Sequence, residues 1–343
     1  MKTNYPFNCW YVAATSAEVT RGNLLARRLL DKPVVLYRSA TGAVVALEDR
    51  CLHRAYPLSE GRCEGDRIVC GYHGFTYDPD GRLVGVPSQT NVPRGARLTK
   101  YQVQERSGFV WIWLGDPGAA SLRPPPRMPW SADGEGWTSS VEALPVQANY
   151  LLLHEHYLDL TNVFSMYPEA APPDIHTLPP LEEVEVSEMS VSHSRLTAPT
   201  RPAEWELKVA QLAASTALPR LEEGSFVSPA LHVQRYVIDP SGATPYTLIR
   251  IQGFTPESPT ATHVFLRIQR DYARGDDGVT EYLRTMFHEM AMRDTAVLEK
   301  IQMRHAEDLQ AGMAPRRDLN VKADRAAVRA RQIALHAHGG RQS

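Results

Sequence analysis

No run of about twenty apolar residues occurs in this chain of 343 residues, so no segment has the length to cross a bilayer as a helix. The opening MKTNYPFNCWYVA lacks the apolar core of an export signal, and the chain is expected in the cytoplasm. Net charge is scarce too. Against 39 Asp and Glu stand 37 Lys and Arg, leaving −2, which excludes a bulk pull toward nucleic acid or an anionic membrane. The basic residues near the C-terminus (Arg316, Arg317, Lys322, Arg325, Arg329, Arg331) read as a solvated helix face rather than a docking patch. No GxSxG elbow, P-loop or GxGxxG after a strand is present; this removes the usual serine hydrolases, P-loop enzymes and nicotinamide- or flavin-binding folds. There is no internal repeat and no long low-complexity tract. Cysteine is rare, with four in all, Cys9, Cys51, Cys63 and Cys70. In a reducing cytosol these are metal ligands or buried apolar residues before they are disulfides.

What is present is a change of texture along the chain. From Trp10 to about Gly115, short β-rich runs such as PVVLYRS, GAVVALED, RIVCGYHGFTY and GFVWIWLGD are separated by ATG, DPDG and RSG. Gly and Asp accept turn conformations, so this pattern predicts a small all-β domain. PGAASLRPPPRMPW, 117–130, reads as a proline-rich linker. Beyond it a helix is expected over 146–166. Alternating strand runs follow (EEVEVSEMSVSHSRLTA, ALHVQRYVID, YTLIRIQGFT, THVFLRIQRDY), then a long helix over 278–306 and a closing helix, ADRAAVRARQIALHAH. Strands followed by helices suggest an α+β domain with helices packed on an antiparallel sheet. The domains are expected at 1–118 and 136–343, joined by a linker over 119–135.

The most informative stretch is CLHRAYPLSEGRCEGDRIVCGYHGF, 51–75. It holds Cys51-x-His53 and, sixteen residues on, Cys70-x-x-His73. Two thiolates can hold one iron of a [2Fe–2S] cluster and two imidazoles the other, an arrangement that raises the reduction potential. Gly71 and Gly74 allow tight turns beside the ligands, and Pro57 and the GYHGF loop are expected to shield the sulfurs. A Cys2His2 zinc site is the rival, but zinc fingers pair Cys with Cys and His with His, whereas each half here supplies one of each. Cys63 and Cys9 are read as packed structural residues.

These residues carry a resemblance. CLHR…PLSEG…CGYHGFTYDPDG, with VVLYRSATGAVVALEDRC before it and GFVWIWLGDP after it, resembles the Rieske domain of ring-hydroxylating and O-demethylating oxygenases. In the second half, ANYLLLHEHYLDLT resembles the helix that opens their catalytic domain. IQGFTPESPTATHVFLRIQRD, MRDTAVLEKIQ and VKADRAAVRARQIAL resemble its later strands, its iron-binding helix and its C-terminus. The likeness covers nearly the whole chain and is nearest to the group that includes vanillate O-demethylase and dicamba monooxygenase. It implies an all-β [2Fe–2S] domain followed by a helix-grip catalytic domain of the START type.

The resemblance also implies a mononuclear Fe(II) held by two histidines and one carboxylate, a triad that leaves positions open for O2. Laid on this sequence from Asn149, the family pattern puts its acids at Glu155 and Asp159 and its late carboxylate ligand at Asp294. Its two histidine positions fall on Asn162 and Tyr167, and an asparagine near the iron becomes His156. Three readings stay open. In the first the site is rebuilt from Asp294, His156 and His176, the last displaced by an insertion around EAAPPD. In the second the mononuclear iron is gone, and the chain carries electrons or supports a homologous catalytic subunit. In the third, Asn162 and Tyr167 bind the metal themselves. Helical spacing places Glu155, Asp159, Asn162 and Met166 on one stripe, while His154 points away from His156 and reads as a packed residue.

The resemblance further gives Asp159 a role relaying electrons between the iron region of one chain and a cluster histidine of the next, in a head-to-tail homotrimer. The expected activity is O2-dependent monooxygenation, either hydroxylation or oxidative O- or N-demethylation, of a small apolar or aromatic substrate. Electrons would come from NAD(P)H through a separate reductase and a ferredoxin, docking near His53 and His73. Residues in Leu231–Val237 and Thr247–Phe254 line the substrate cavity or serve as plain core.

Overall fold

The computed structural model describes residues 5–131, 136–179, 183–239, 245–313 and 318–339. Arg316, Arg317 and the end of the expected linker, 132–135, lie outside the described residues. The chain divides into two compact units, 1–125 with the short segment 255–259, and 126–254 with 260–343. The break falls inside the PPP run, at Pro125 and Pro126.

The first unit is all β. A six-stranded sheet runs in the order Trp10–Thr15, Phe109–Trp113, Lys100–Arg106, Val44–Glu48, Lys32–Arg38, Leu25–Leu29. Its strands are β-branched and aromatic, and FVWIW is buried along its whole length, as a strand covered on both faces should be. A second, four-stranded sheet is built from Arg62–Glu64, Arg67–Val69, Thr76–Tyr77 and Leu83–Gly85. One core joins Val35, Tyr37, Val45 and Leu47 of the larger sheet to Ile68, Tyr77 and Leu83 of the smaller, and Cys51 and Cys70 belong to it.

The second unit carries a seven-stranded antiparallel sheet. Six strands follow one another from Glu183–Val186 to Ala261–Arg270, and Thr138–Val146 joins the far edge beside Ala261–Arg270. The long helix Asp277–Gln310 buries Val279, Leu283, Phe287, Ala291, Asp294, Thr295 and Leu298. That three-and-four spacing makes one stripe, and Asp294 is its carboxylate. The closing helix Arg325–Gly339 packs Ala326, Ala327, Ala330 and Ala334 against Leu158, Val191 and Phe226. Lys322, Arg325 and Arg329 are exposed, whereas Arg331 pairs with Glu155.

The helix expected over 146–166 is shorter and broken. Val146 ends a strand, and Asn149 caps Tyr150–Leu158 by accepting from the Leu151 N–H. Asp159 takes φ −110° and ψ 103°, and its carboxylate accepts from the Thr161 N–H at the start of a 3-10 turn, Leu160–Asn162. A local side-chain acceptor competes with helix continuation here. A short helix, Val163–Met166, follows. The stripe through Glu155, Asp159, Asn162 and Met166 is therefore interrupted at Asp159. No described helix is long and apolar enough to cross a membrane.

Candidate functional site

Two loops in the first unit share one backbone pattern. In the first, the Cys51 N–H donates to the Tyr56 carbonyl and the Ala55 N–H to the Cys51 carbonyl, both at 2.9 Å. In the second, the Cys70 N–H donates to the Phe75 carbonyl at 2.9 Å and the Gly74 N–H to the Cys70 carbonyl at 3.0 Å. The fifth residue of each loop has positive φ, 45° at Ala55 and 71° at Gly74. The second loop lies against the turn that follows the first, where a Cβ on Gly71 would meet the Glu60 carbonyl oxygen at 2.7 Å and one on Gly61 the Val69 oxygen at 2.2 Å. Glycine is required there by contact between backbones.

This pairing sets the four donors. Cys51 and Cys70 are 3% and 1% exposed, while His53 and His73 are exposed with ring centroids 4.6 Å apart. Phe75 stacks on His53 at 4.7 Å. Burial pushes the Cys70 thiol up, and the backbone N–H groups of Tyr72 and His73 pull against it. Desolvation, then His73 and Arg54, draw His53 below the usual imidazole value. Two sulfurs inside and two imidazoles at the rim, with amides directed at a sulfur, suit a [2Fe–2S] cluster with one cysteine pair and one histidine pair. Among the described residues no set of three His, Cys, Asp or Glu surrounds a single ion. A cluster that takes two protein donors per iron does not require one. Pro57 is exposed; Tyr72 packs on His73 with ring centroids 3.7 Å apart, and Phe75 and Tyr77 flank His53 and Cys51. Cys9 is buried with its thiol pushed up to about 12, mainly by that burial. Cys63 is half-buried and packs on the same core.

Sequence reasoning passed over Tyr77. Its hydroxyl lies 3.3 Å from Cys51 Sγ and accepts from the Leu52 N–H at 3.0 Å. The alternation of GFTY already placed it on the inner face of its strand.

The second centre lies in the second unit, around Asp294, which is 3% exposed. His156 Nε2 is 2.8 Å from Asp294 Oδ1. The Tyr157 hydroxyl donates to Oδ2 at 2.9 Å, and the Tyr167 hydroxyl donates to Oδ1 and also lies 3.0 Å from the Met290 carbonyl oxygen. Asn162 Nδ2 is 3.4 Å from His156 Nε2 and 3.5 Å from Met166 Sδ. Burial raises the Asp294 pKa, but the contacts with His156 and Tyr167 and the charge of Arg250 outweigh it and leave it below the ordinary value. Both tyrosines are pushed up, first by burial and then by the Asp294 charge.

Of the residues singled out in the sequence, His156, Asn162, Tyr167 and Asp294 come together here, with Tyr157 as an unforeseen member. Asp159 is half-buried and caps the turn beside them. His176 is exposed on the loop beside Asp174, which pairs with Arg201. The set His156, His176 and Asp294 is not assembled among the described residues, because the loop around Asp174 carries His176 to the surface. His154 is buried among Phe226, Phe254 and His232. The centre thus offers one imidazole, one carboxylate, an amide and two phenols. That donor set does not fit a triad of two histidines and one carboxylate.

A cavity of about 170 Å³ adjoins this centre. Leu160, Val163, Phe164, Phe287 and Met290 supply apolar wall, and Gln234 and Arg250 supply polar groups. Arg250 donates to the Gln234 side-chain oxygen, and its guanidinium lies 4.9 Å from the centroid of the Tyr157 ring. Of the strand segments expected to line a cavity, Gln234, Arg235, Tyr236, Leu248 and Arg250 do so. Leu231, Val233, Ile249 and Ile251 are core.

Comparison with known proteins agrees with this division. Residues 9–101 match the Rieske [2Fe–2S] domain family, and residues 146–337 match the vanillate O-demethylase oxygenase C-terminal domain. The iron–sulfur subunit of a toluene-4-sulfonate monooxygenase system from Comamonas testosteroni is 42% identical over 161 residues, 47% of this chain and 46% of that protein. The chain thus spans about half the length of that relative. The oxygenase component of dicamba O-demethylase from Stenotrophomonas maltophilia is 28% identical over 94% of both chains. The crystal structure of dicamba monooxygenase bound to 3,6-dichlorosalicylic acid superimposes with a TM-score of 0.87 at 25% identity, covering 98% of each chain.

Proposed function

The chain belongs to the Rieske oxygenase family that shares the vanillate O-demethylase oxygenase C-terminal domain, and from this we propose that it is the oxygenase component of an O2-dependent monooxygenase. The substrate class is small and apolar or aromatic, and the reaction is hydroxylation or oxidative O- or N-demethylation. Cys51 and Cys70 hold one iron of the cluster and His53 and His73 the other. Electrons arrive from NAD(P)H through a separate reductase, with or without a ferredoxin, at the face where these two imidazoles are exposed. The chain assembles head to tail in a trimer, with itself or with a homologous subunit, and Asp159 relays between chains.

The observation that carries this reading is the pair of matched loops. They bury two sulfurs and expose two imidazoles, and the second leaves no room for a side chain at Gly71. The cavity supports the substrate class, since its wall is mainly aliphatic and aromatic, with Arg220, Arg235, Arg250, Glu222 and Glu223 as its charged members. The test is anaerobic purification followed by assay of acid-labile sulfide and of the visible spectrum. A reducible cluster spectrum that is lost in His73→Ala is expected. Zinc in place of iron and sulfide would overturn the reading.

A further inference from the structure

The Asp294 centre departs from an iron site in which atoms are spoken for, as well as in residue type. A facial triad needs one carboxylate oxygen and two imidazole nitrogens with free lone pairs, and open positions opposite them. Here both carboxylate oxygens accept protons from phenols, Oδ1 from Tyr167 and Oδ2 from Tyr157. His156 is the single imidazole at the carboxylate, and it is engaged with Oδ1 as well. Tyr167 stands where the family resemblance implies the second histidine. It turns its hydroxyl to the carboxylate and is tied back to the Met290 carbonyl of the long helix.

Charge balance points the same way. A carboxylate on a buried helix stripe is costly unless something compensates it. In an iron site the cation compensates it. Here two charge-assisted hydrogen bonds, the His156 contact and the nearby Arg250 guanidinium do so. Iron entering at Oδ1 would displace both the Tyr167 and the His156 contacts there, and gain one imidazole in return.

We propose that the Asp294 centre of this chain is closed to iron, so that the polypeptide carries the [2Fe–2S] cluster alone. The monooxygenation proposed above then depends on iron held by a homologous subunit that keeps imidazoles at the two places occupied here by Asn162 and Tyr167. This inference rests on the reading of the chain as an oxygenase component.

The test counts metal in the intact protein, purified anaerobically and incubated with ferrous iron. About two irons and two sulfides per chain are expected. A third iron, lost in Asp294→Ala while sulfide is unchanged, overturns the proposal. An Fe(III)–phenolate absorption that appears on admitting O2 and disappears in Tyr167→Phe does the same, as does product formation by this chain with a reductase alone. The double variant Asn162→His/Tyr167→His is expected to gain one iron per chain, and a folded variant that gains none counts against the proposal. The native count decides the question if that variant does not fold. A sample lacking sulfide defeats the cluster reading instead, so the two failures are distinguishable.

Discussion

The Tyr77 hydroxyl takes the Leu52 N–H on its oxygen and stands 3.3 Å from Cys51 Sγ. With the oxygen engaged as acceptor, its proton is directed at the sulfur. A hydrogen bond to a cluster thiolate stabilises the reduced, more negative state over the oxidised one. Tyr77→Phe should therefore lower the reduction potential. A bond to a charged group is worth about 1.5–3 kcal/mol and only part of it distinguishes the two redox states, which gives a shift on the order of 50 mV. The ring is fully buried, and Phe keeps its shape. Redox titration of the purified protein checks this; an unchanged or higher potential would remove Tyr77 from the cluster's environment.

Tyr167 bears on stability by the same logic. It is 3% exposed and links the short helix Val163–Met166 to Asp294 on the long helix. Tyr167→Phe leaves Oδ1 with the His156 contact alone. The loss should be about 1.5–3 kcal/mol, the range for a hydrogen bond to a charged group. Urea unfolding measures it through the midpoint, and an unchanged midpoint would mean that Asp294 does not depend on this hydroxyl.

The cluster motif was legible in the sequence because its ligands sit within 23 residues of one another and its loops are set by local turn chemistry. The sheets were legible for a similar reason, since alternation and turn residues act over a few positions. The Asp294 centre was legible only in part. Asn162 and Tyr167 stood out as substitutions, but the hydroxyls that satisfy Asp294 come from positions 137 and 127 residues away. No periodicity reports such a contact. The break at Asp159 was missed because Leu160, Val163 and Met166 continue a helical pattern that one capping carboxylate interrupts. The position of His176 depended on how the loop around Asp174 packs, which spacing does not determine.

Three buried histidines predict a pH dependence. Burial draws His154 and His193 down to about 4, and His232 well below the ordinary value. His232 also faces His154, His193 and Arg250, and Arg195 faces His193. Unfolded histidine titrates near 6.5. Between about pH 6.5 and 4 the unfolded chain therefore binds more protons than the folded one, and stability falls as pH falls through that window. At the acid end His154 and His193 each cost roughly 3 kcal/mol. Neither ring nitrogen of His232 has a hydrogen-bond partner among the described residues, so His232→Phe gives up none. Its melting temperature should decline less between pH 6.5 and 4 than that of the parent. Parallel declines would show that His232 is not held neutral.

The wall of the cavity rests on a buried ion pair. Arg220 and Glu206 are 1% and 0% exposed in their side chains and meet through two hydrogen bonds, of 2.9 and 2.7 Å. Tyr236 donates to the same carboxylate at 2.7 Å, as does the Ala203 N–H that starts the helix Glu204–Ala210. Arg220, Tyr236 and Trp205 all line the cavity, so the pair fixes both a helix start and a binding surface. Glu206→Gln leaves the guanidinium buried without its counter-charge, which typically costs about 3–5 kcal/mol. Replacing both members by Leu and Met should cost less, because no buried charge is then left alone. Urea unfolding of the two variants side by side makes the comparison. If the single variant is no less stable than the double, Arg220 reaches other compensation, and the pair is not what holds this wall.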